Sequence, residues 1–202
     1  MKLAVYFFAS FFLGAIPTAY CAGRFLKNID IRQHGSGNVG ATNAFRVLGK
    51  GPGVFVFAVD FLKGAVPVML FSHFFPRVDD PELMRLIAGL FAVLGHLFTP
   101  FLAFKGGKGI ATGGGALCAV FPYLFLLTLG AWLLTFFISR IVSLSSLVAV
   151  FVLAVSAVLT VQDNALKSVF IAMALLVFWT HRSNIGKLMR GEEHKFVNRQ
   201  NS

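Results

Sequence analysis

A glycine- and lysine-rich stretch at residues 105–115, K-G-G-K-G-I-A-T-G-G-G, lies between two long apolar runs. Six of its eleven residues are glycine, and Lys105 and Lys108 are cations. Glycine lacks a Cβ and lets backbone N–H groups converge, and such groups at the start of a helix bind anions. The stretch therefore predicts a phosphate-binding loop. It is not a Walker A loop, because Gly109 rather than Ser or Thr follows Lys108.

Close helix packing is the alternative explanation for these glycines. Small residues four apart let membrane helices approach each other, and Gly109 and Gly113 have that spacing. Packing alone stays open as an explanation for residues 113–115. It gives no reason for the two lysines, so we interpret their part of the stretch as an anion site.

Two further polar clusters carry side chains that bind anions. The first polar cluster, residues 35–46, reads G-S-G-N-V-G-A-T-N-A-F-R. The second comprises residues 95–96 (G-H) and 105–112, and the third, residues 181–185, reads H-R-S-N-I. Each charge-assisted hydrogen bond from such groups to a phosphate contributes about 1.5–3 kcal/mol.

Carboxylates are scarce near the three clusters. Asp30 lies just upstream of the first, and Glu192 and Glu193 lie in the distant tail. Pro100 occupies the position four residues after His96, where an acidic partner would be expected in a His-Asp pair. Two-metal chemistry and a Ser-His-Asp triad both need carboxylates, so we expect neither of them. We also expect no metal and no cofactor.

The composition indicates a membrane protein. Of 202 residues, 57% are hydrophobic, 24 are Phe and 13% are charged, against about 25% charged in a soluble domain. Apolar stretches long enough to cross a bilayer recur from end to end, which predicts an all-α integral membrane protein. Neither a linker nor a low-complexity segment divides the chain, which favours a single polytopic domain over residues 1–202.

The net charge of +10 has a topological meaning in such a chain. In a soluble protein it would suggest nucleic acid. Here the cations lie between apolar runs, so we expect no nucleic-acid partner and assign them to topology and anion binding. Cys21 and Cys118 are expected to be small buried hydrophobic residues, because no disulfide or zinc spacing is present.

About seven transmembrane helices are predicted, with the N-terminus outside and the C-terminus in the cytoplasm. The positive-inside rule gives this orientation, since Lys2 alone precedes the first run whereas Arg24, Lys27 and Arg32 follow it. A signal peptide is the alternative for that run. The predicted spans are residues 3–22, 53–75, 82–104, two within 110–137 that divide at Pro122, 141–161 and 165–180.

Asp60 and Lys63 fall inside the second predicted span, three residues apart and on one helical face. Each alone would cost about 2.5–3.5 kcal/mol near the bilayer centre. We expect them to neutralise each other near one end of the span, with a catalytic role as the alternative. On this topology all three polar clusters face the cytoplasm, where a small phosphorylated molecule would meet their donors.

The clusters resemble the motifs of the PlsY family, the bacterial acyl-phosphate:glycerol-3-phosphate acyltransferases. The matching segments are residues 35–43, 95–96 with 104–112, and 181–185, and also 60–64 (D-F-L-K-G) and 142–144 (V-S-L). The resemblance runs in order from about Gly14 to Phe196. Matches of this length are far more specific than a lone glycine motif.

The resemblance implies a membrane acyltransferase that moves a fatty acyl group from acyl phosphate to the 1-hydroxyl of glycerol 3-phosphate. The products are lysophosphatidic acid and phosphate, in the first step of phospholipid synthesis. It implies no covalent acyl-enzyme, and a substrate phosphate oxygen is suspected to take the hydroxyl proton. The implied location is the bacterial cytoplasmic (inner) membrane, with membrane lipid around the chain and a functional link to the phosphotransacylase that makes acyl phosphate.

The resemblance also assigns roles to single residues. The expected catalytic residues, which hold glycerol 3-phosphate or orient its hydroxyl, are Ser36, Arg46, Lys105, His181 and Asn184. The expected substrate-binding residues are Gly37, Asn38, Thr42, Asn43, His96, Gly106, Gly107, Lys108, Gly109 and Thr112. Alternatives stay open for Arg46 as a topology signal and for His181 and Arg182 as interfacial anchors.

Two rival functions use the same residues. A transporter for a phosphorylated metabolite would need access from outside, which short acidic outer loops disfavour. An assembly protein whose glycines only pack helices predicts no ligand at the cations. Formation of lysophosphatidic acid from palmitoyl phosphate separates all three.

Overall fold

The computed structural model describes residues 1–196, and within them it contains helices and no strand. The α-helices are α1 Lys2–Ala15, α2 Thr18–Lys27, α3 Ala41–Leu48, α4 Lys50–Phe74, α5 Pro81–Leu97, α6 Ile110–Val120, α7 Pro122–Ser139, α8 Val142–Thr160, α9 Asn164–Thr180 and α10 Arg182–Met189. Two short 3₁₀ turns, Ile31–Gln33 and Pro100–Leu102, lie in the loops before α3 and α6. The all-α prediction is confirmed.

Five helical segments in the described part of the chain are long and apolar enough to cross a membrane. They are Lys2–Lys27, Lys50–Phe74, Pro81–Leu102, Pro122–Ser139 and Val142–Thr160, and the pair α9 and α10, bent by 60°, is a sixth if it counts as one span. Helix α6 has only 11 residues, about 16 Å against a hydrocarbon core of about 30 Å. The count of seven and the sidedness of the termini therefore stay predictions.

The division of residues 110–137 at Pro122 is confirmed. Helix α6 ends at Val120, Phe121 leaves the helical region at φ −129° and ψ 75°, and α7 begins at Pro122. Proline has no N–H to continue a helix and disfavours helical geometry in the residue before it. It is tolerated at the first position of the next helix.

The chain forms two compact units, Met1–Phe121 and Pro122–Ser202. In the first unit, α1 packs on α5 and α4 packs on α6. Glycines permit this, because a Cβ at Gly14 would overlap the backbone of Ala92, and a Cβ at Gly64 would overlap that of Thr112. A Cβ at Gly115 would likewise overlap the backbone of Phe61.

Close packing therefore explains part of the glycine-rich stretch, as the alternative interpretation proposed, but through a different residue. A Cβ at Gly113 would find its nearest neighbour at 3.8 Å, an ordinary contact. The proposed Gly109–Gly113 packing pair holds only for Gly109, where a Cβ would lie 2.7 Å from Leu97 Cδ1. Gly115 rather than Gly113 makes the close approach to α4.

A break at Pro17 separates α1 from α2 and exposes carbonyl groups that the helix can no longer satisfy. The Thr99 hydroxyl donates to the Ala15 carbonyl at 2.6 Å. The Lys63 ammonium donates to the Ile16 carbonyl at 2.9 Å. The break is therefore held from both α4 and the loop after α5.

The ion pair of Asp60 and Lys63 is confirmed, with 2.8 Å between Lys63 Nζ and Asp60 Oδ1. Its expected position near one end of the helix is wrong. The two residues lie at the middle of α4, Lys50–Phe74, and both are buried. They are tolerated there because the Thr18 hydroxyl and the Ile16 carbonyl supply further partners.

Candidate active site

The loop before α3 is anchored by Asp30. Its Oδ1 accepts a hydrogen bond from the Arg32 backbone N–H at 3.0 Å, and its Oδ2 lies 2.7 Å from Arg32 Nη2. Arg24 adds a longer ion pair of 3.7 Å. The hydrogen bond from the Arg32 guanidinium lowers the pKa of Asp30 to about 2, because it favours the charged carboxylate.

This pKa predicts how the loop responds to acid. The pKa of an unfolded Asp is about 3.9, so the lowered pKa of Asp30 stabilises the folded loop at pH values above that value. The stabilisation is lost as the pH falls toward about 2. Hydrogen exchange of residues 29–36 is expected to be constant from pH 7 to pH 5, after correction for intrinsic rates, and to accelerate between about pH 4 and pH 2. In Asp30→Asn that acid step is expected to be absent, and an unchanged acid step there would contradict the assignment.

Asn43 braces the first polar cluster from inside. Its Oδ1 accepts from the Ser36 N–H at 2.9 Å, and its Nδ2 donates to the carbonyls of Ile31 at 3.3 Å and His34 at 3.0 Å. Asn43 is only 1% exposed. These contacts make Asn43 a positioning residue for the loop that carries Ser36, which is itself exposed.

Gly35 and Gly37 have positive φ angles, +62° and +72°, which bend the backbone around the side-chain amide of Asn43. The loop then enters α3, where Gly40 is the N-cap and Thr42 lies in the first turn. Arg46, in the last turn, is exposed, and its guanidinium has no hydrogen bond or ion pair within residues 1–196. Thr42 and Asn38 are partly exposed at the same loop.

The glycine stretch folds back onto the end of α5. The Lys105 N–H donates to the Leu102 carbonyl at 3.1 Å, the Gly106 N–H to that of Leu97 at 2.9 Å, and the Gly107 N–H to that of His96 at 3.0 Å. Gly106 and Gly107 therefore do not offer their N–H groups to an anion in this structure. Their lack of a Cβ serves close approach instead, since a Cβ on either would overlap His96.

The groups that remain for an anion lie at the start of α6. Gly109 is its N-cap with φ +81°, and no side chain caps the first turn. The N–H groups there, with the helix dipole, favour a negative charge. The Thr112 hydroxyl in that turn is fully buried and has no hydrogen-bond partner among the described residues.

Lys105 and Lys108 both precede this helix start in the sequence. Lys105 is exposed, and its ammonium makes no hydrogen bond or ion pair within the described residues. It follows two non-glycine residues in the left-handed region, Ala103 at φ 53° and Phe104 at φ 60°. Such backbone strain persists only where the surroundings impose it, and it is frequent at functional sites.

A shared core holds the first and second polar clusters side by side in the first unit. Leu102, from the turn before Lys105, belongs to the same buried cluster as Ile31, Val39 and Ala44 around the first loop. Burial of these side chains stabilises each by about 1.5–3 kcal/mol. The shared core therefore places the turn before Lys105 against the buried residues beneath the first loop. That Ser36, Arg46 and Lys105 act together at one site stays a prediction.

His96 has a carboxylate neighbour that the sequence did not reveal. Its Nδ1 lies 3.9 Å from Asp60 Oδ1, and both side chains are buried. The expectation that the clusters have no carboxylate other than Asp30 and the tail pair Glu192 and Glu193 is therefore wrong. Asp60 lies 36 positions upstream of His96, so their spacing carries no signal of a contact, and only the packing of α4 on α5 brings them together.

The third polar cluster lies at the bend between α9 and α10 in the second unit. His181 is buried, and its Nδ1 lies 2.9 Å from the Val177 carbonyl, so Nδ1 carries the proton in the neutral ring. Arg182 stacks over Trp179 at 4.5 Å and donates to its carbonyl. That contact favours the alternative role of Arg182 as an anchor.

Asn184 has an acidic partner that sequence reasoning missed. Its Nδ2 donates to Glu193 Oε1 at 2.8 Å, and the Ser143 hydroxyl donates to the same oxygen at 2.9 Å. The other oxygen, Glu193 Oε2, is buried with no hydrogen-bond partner among the described residues. The tail folds back because the Phe196 N–H donates to the Arg140 carbonyl and the Phe196 ring meets Phe136.

Comparisons with known proteins identify the family of the chain. The model of the family "Glycerol-3-phosphate acyltransferase" matches residues 4–191. A protein of that name from Prochlorococcus marinus (strain MIT 9215) is 40% identical, covering 96% of this chain and 97% of its own. Another from Fusobacterium nucleatum is 38% identical, covering 93% and 94%.

Two solved structures of PlsY (YgiH), an integral membrane glycerol 3-phosphate acyltransferase, are similar in fold. The glycerol 3-phosphate form has a TM-score of 0.90 at 36% identity, covering 98% of this chain and 96% of that chain. The lysophosphatidic acid form has a TM-score of 0.87. Together with the apolar helices, these similarities define a multi-pass integral membrane protein. The chain belongs to the glycerol-3-phosphate acyltransferase family, which confirms the resemblance to PlsY.

Proposed function

We propose that the chain transfers a fatty acyl group from acyl phosphate to the 1-hydroxyl of glycerol 3-phosphate. The products are lysophosphatidic acid and inorganic phosphate. The observation that carries the proposal is the uncapped start of α6, preceded by Lys105 and Lys108. Family membership and the glycerol 3-phosphate form of the similar structure support the acceptor.

The chemistry needs no general base from the protein. Acyl phosphate is a mixed anhydride with phosphate as a good leaving group. Holding the hydroxyl in line with the carbonyl supplies much of the acceleration by proximity. Donors aimed at the developing oxyanion and at the departing phosphate supply more. A substrate phosphate oxygen takes the hydroxyl proton, and no acyl-enzyme forms.

The proposed roles divide between the two substrates. Glycerol 3-phosphate is held or oriented by Ser36, Arg46, Lys105, His181 and Asn184. The acyl phosphate head is held by the first turn of α6 with Lys108, Gly109 and Thr112, together with Asn38 and Thr42. Asn43, Gly106, Gly107 and His96 act on the shape of the two loops, in keeping with their internal contacts.

The decisive experiment is an acyl-transfer assay with purified protein in detergent. Radiolabelled glycerol 3-phosphate is incubated with palmitoyl phosphate, and lysophosphatidic acid is detected by thin-layer chromatography. Palmitoyl-CoA replaces palmitoyl phosphate in the control. We expect product from the phosphate alone; product from the CoA ester at an equal rate would contradict the donor. Absence of product from either, with uptake of glycerol 3-phosphate into proteoliposomes, would favour the transporter.

The proposed location is the bacterial inner membrane with the active site facing the cytoplasm. Seven spans, an outer N-terminus and an inner C-terminus fit the distribution of cations under the positive-inside rule. A functional link to the phosphotransacylase that makes acyl phosphate follows from the donor. Lys105→Cys, made in a protein whose Cys21 and Cys118 are replaced by alanine, is expected to react with an impermeant maleimide only after the cells are opened, and labelling of intact cells would contradict the orientation.

The hydrogen bond from Asn184 to Glu193 leads to a prediction about how the acceptor hydroxyl of glycerol 3-phosphate is oriented. A carboxylate only accepts hydrogen bonds, so the Asn184 amide nitrogen must face Glu193 and Asn184 Oδ1 faces away as an acceptor. That oxygen suits the hydroxyl of glycerol 3-phosphate better than its phosphate. Glu193→Ala removes this acceptor from the Asn184 amide, and kcat is expected to fall about three- to tenfold, the equivalent of one neutral hydrogen bond.

Matched variants make this test specific. Glu193→Gln keeps an acceptor oxygen and is expected to retain nearly full kcat. Glu192→Ala removes the neighbouring carboxylate, which is exposed and pairs with Arg190 at 2.8 Å, and is expected to change nothing. Equal losses in the Gln and Ala variants would contradict an orienting role.

A further inference from the structure

A buried polar cluster, here called the mid-helix cluster, lies at the centre of the first unit. It comprises Thr18, Asp60, Lys63 and His96. Asp60 Oδ1 accepts from the Thr18 hydroxyl at 3.0 Å and lies 2.8 Å from Lys63 Nζ. His96 Nδ1 approaches the same oxygen at 3.9 Å. All four side chains are nine-tenths or more buried.

The cluster carries more polar groups than neutralisation requires. A buried ion pair is often no more stabilising than apolar side chains of similar volume. Charge balance alone therefore does not explain why Asp60 and Lys63 stand at the middle of a membrane helix. Their contacts lead outward in two directions, to the Ile16 carbonyl at the Pro17 break and to the His96 ring.

His96 connects the cluster to the glycine loop. Its carbonyl accepts the Gly107 N–H, and its ring packs so closely on Gly107 that a Cβ there would overlap Nε2. Within the described residues neither ring nitrogen of His96 makes a hydrogen bond, and Nδ1 is the ring nitrogen that approaches Asp60, the partner of Lys63. A shift of His96 would therefore move the loop that precedes α6.

We propose that Asp60 and Lys63 are positioning residues for acyl transfer. The ion pair fixes the His96 ring from α4, and the ring in turn fixes Gly106 and Gly107, which set where Lys105 and the start of α6 stand. The role in catalysis rests on the proposed function. The mechanical link between the pair and the loop does not, and it has a readout of its own.

The test compares the pair with a neutral replacement of similar size. In the double variant Asp60→Asn/Lys63→Met the charge balance is kept, so a merely neutralising pair predicts normal folding and normal kcat. The positioning role predicts a folded protein whose kcat falls at least about tenfold. It also predicts that amide exchange in residues 104–110 becomes at least about tenfold faster, because the Gly106 and Gly107 hydrogen bonds open more often.

Arg85→Met is the matched control, since Arg85 also donates to partly buried carbonyls, those of Val68 and Ala119, but near the opposite end of α5 from His96. It is expected to lower thermal stability and to leave kcat and the exchange of residues 104–110 unchanged. Wild-type kcat and exchange in the folded double variant would overturn the proposal. So would an equal change in Arg85→Met.

A second variant tests the proposal if the double variant does not fold. Thr18→Val removes one donor to Asp60 at constant shape and is expected to speed exchange of residues 104–110 at least about threefold. Unchanged exchange there would overturn the proposal. If the wild-type protein forms no lysophosphatidic acid from palmitoyl phosphate, the proposed function fails, while the exchange measurements still decide whether the cluster holds the loop.

Discussion

Replacement of Gly106 or Gly107 by alanine is expected to lower acyl transfer at least about 100-fold, because misplacement of a reacting group by about 1 Å has that effect. A Cβ at Gly106 would overlap the carbonyl oxygen of His96 and lie 2.6 Å from that of Leu97. These are backbone atoms of α5 and cannot rotate away. The loop must therefore move, and the N–H groups of both glycines lose their carbonyl partners.

The stability of these variants should fall far less than their activity. Overpacking costs about 1–3 kcal/mol of folding free energy. Here the loop is the part that shifts, and it lies outside the helix pairs that hold the first unit together. The measurement is the initial rate of labelled lysophosphatidic acid formation, with thermal unfolding of the same preparations. We expect a folded protein with little turnover.

Gly113→Ala is the matched control, six or seven positions further along the same stretch. Its Cβ would meet only the Val93 side chain at 3.8 Å, and alanine in a helix is favoured over glycine by about 0.8–1.0 kcal/mol. Full activity in this variant would show that close approach to His96, and not glycine content, is required. Full activity in Gly107→Ala would contradict the proposed geometry.

Hydropathy and proline position were sufficient for most of the fold. Each predicted span contains a helix, and the break at Pro122 is a local property of proline that requires no knowledge of neighbours. The two lysines of the candidate site were also identifiable from local sequence, because Lys105 and Lys108 lie in a stretch with six glycines among eleven residues. Local chemistry in the sequence thus identified the loops that form the candidate site.

The contacts across the fold were not predictable in this way. Asp60 meets His96, and Glu193 meets Asn184, only after helices or a tail have packed. The prediction that the N–H groups of Gly106 and Gly107 bind an anion was also wrong, because these groups donate to the last carbonyls of α5. Nothing in residues 105–107 indicates that pairing. Pairing at long sequence separation depends on packing, and a single sequence carries no direct record of it.

Lys105→Ala is expected to abolish acyl transfer and to leave the fold intact. The ammonium is exposed and has no partner within residues 1–196, so its removal leaves no buried group unsatisfied. One charge-assisted hydrogen bond to a phosphate contributes about 1.5–3 kcal/mol, which corresponds to about ten- to 150-fold in rate. Lys105 also orients the acceptor hydroxyl toward the acyl carbonyl, and this orientation is lost with the ammonium, so we expect a loss of at least about 100-fold.

Lys50→Ala is the control for Lys105, since Lys50 is an exposed lysine at the start of α4 that we assign to topology alone. It is expected to keep full activity. Lys105→Arg keeps the charge but changes its reach and geometry, and should retain part of the activity. Thermal unfolding separates a folding defect from loss of the cation. Wild-type turnover in a folded Lys105→Ala protein would contradict the proposed role of the Lys105 ammonium in binding glycerol 3-phosphate.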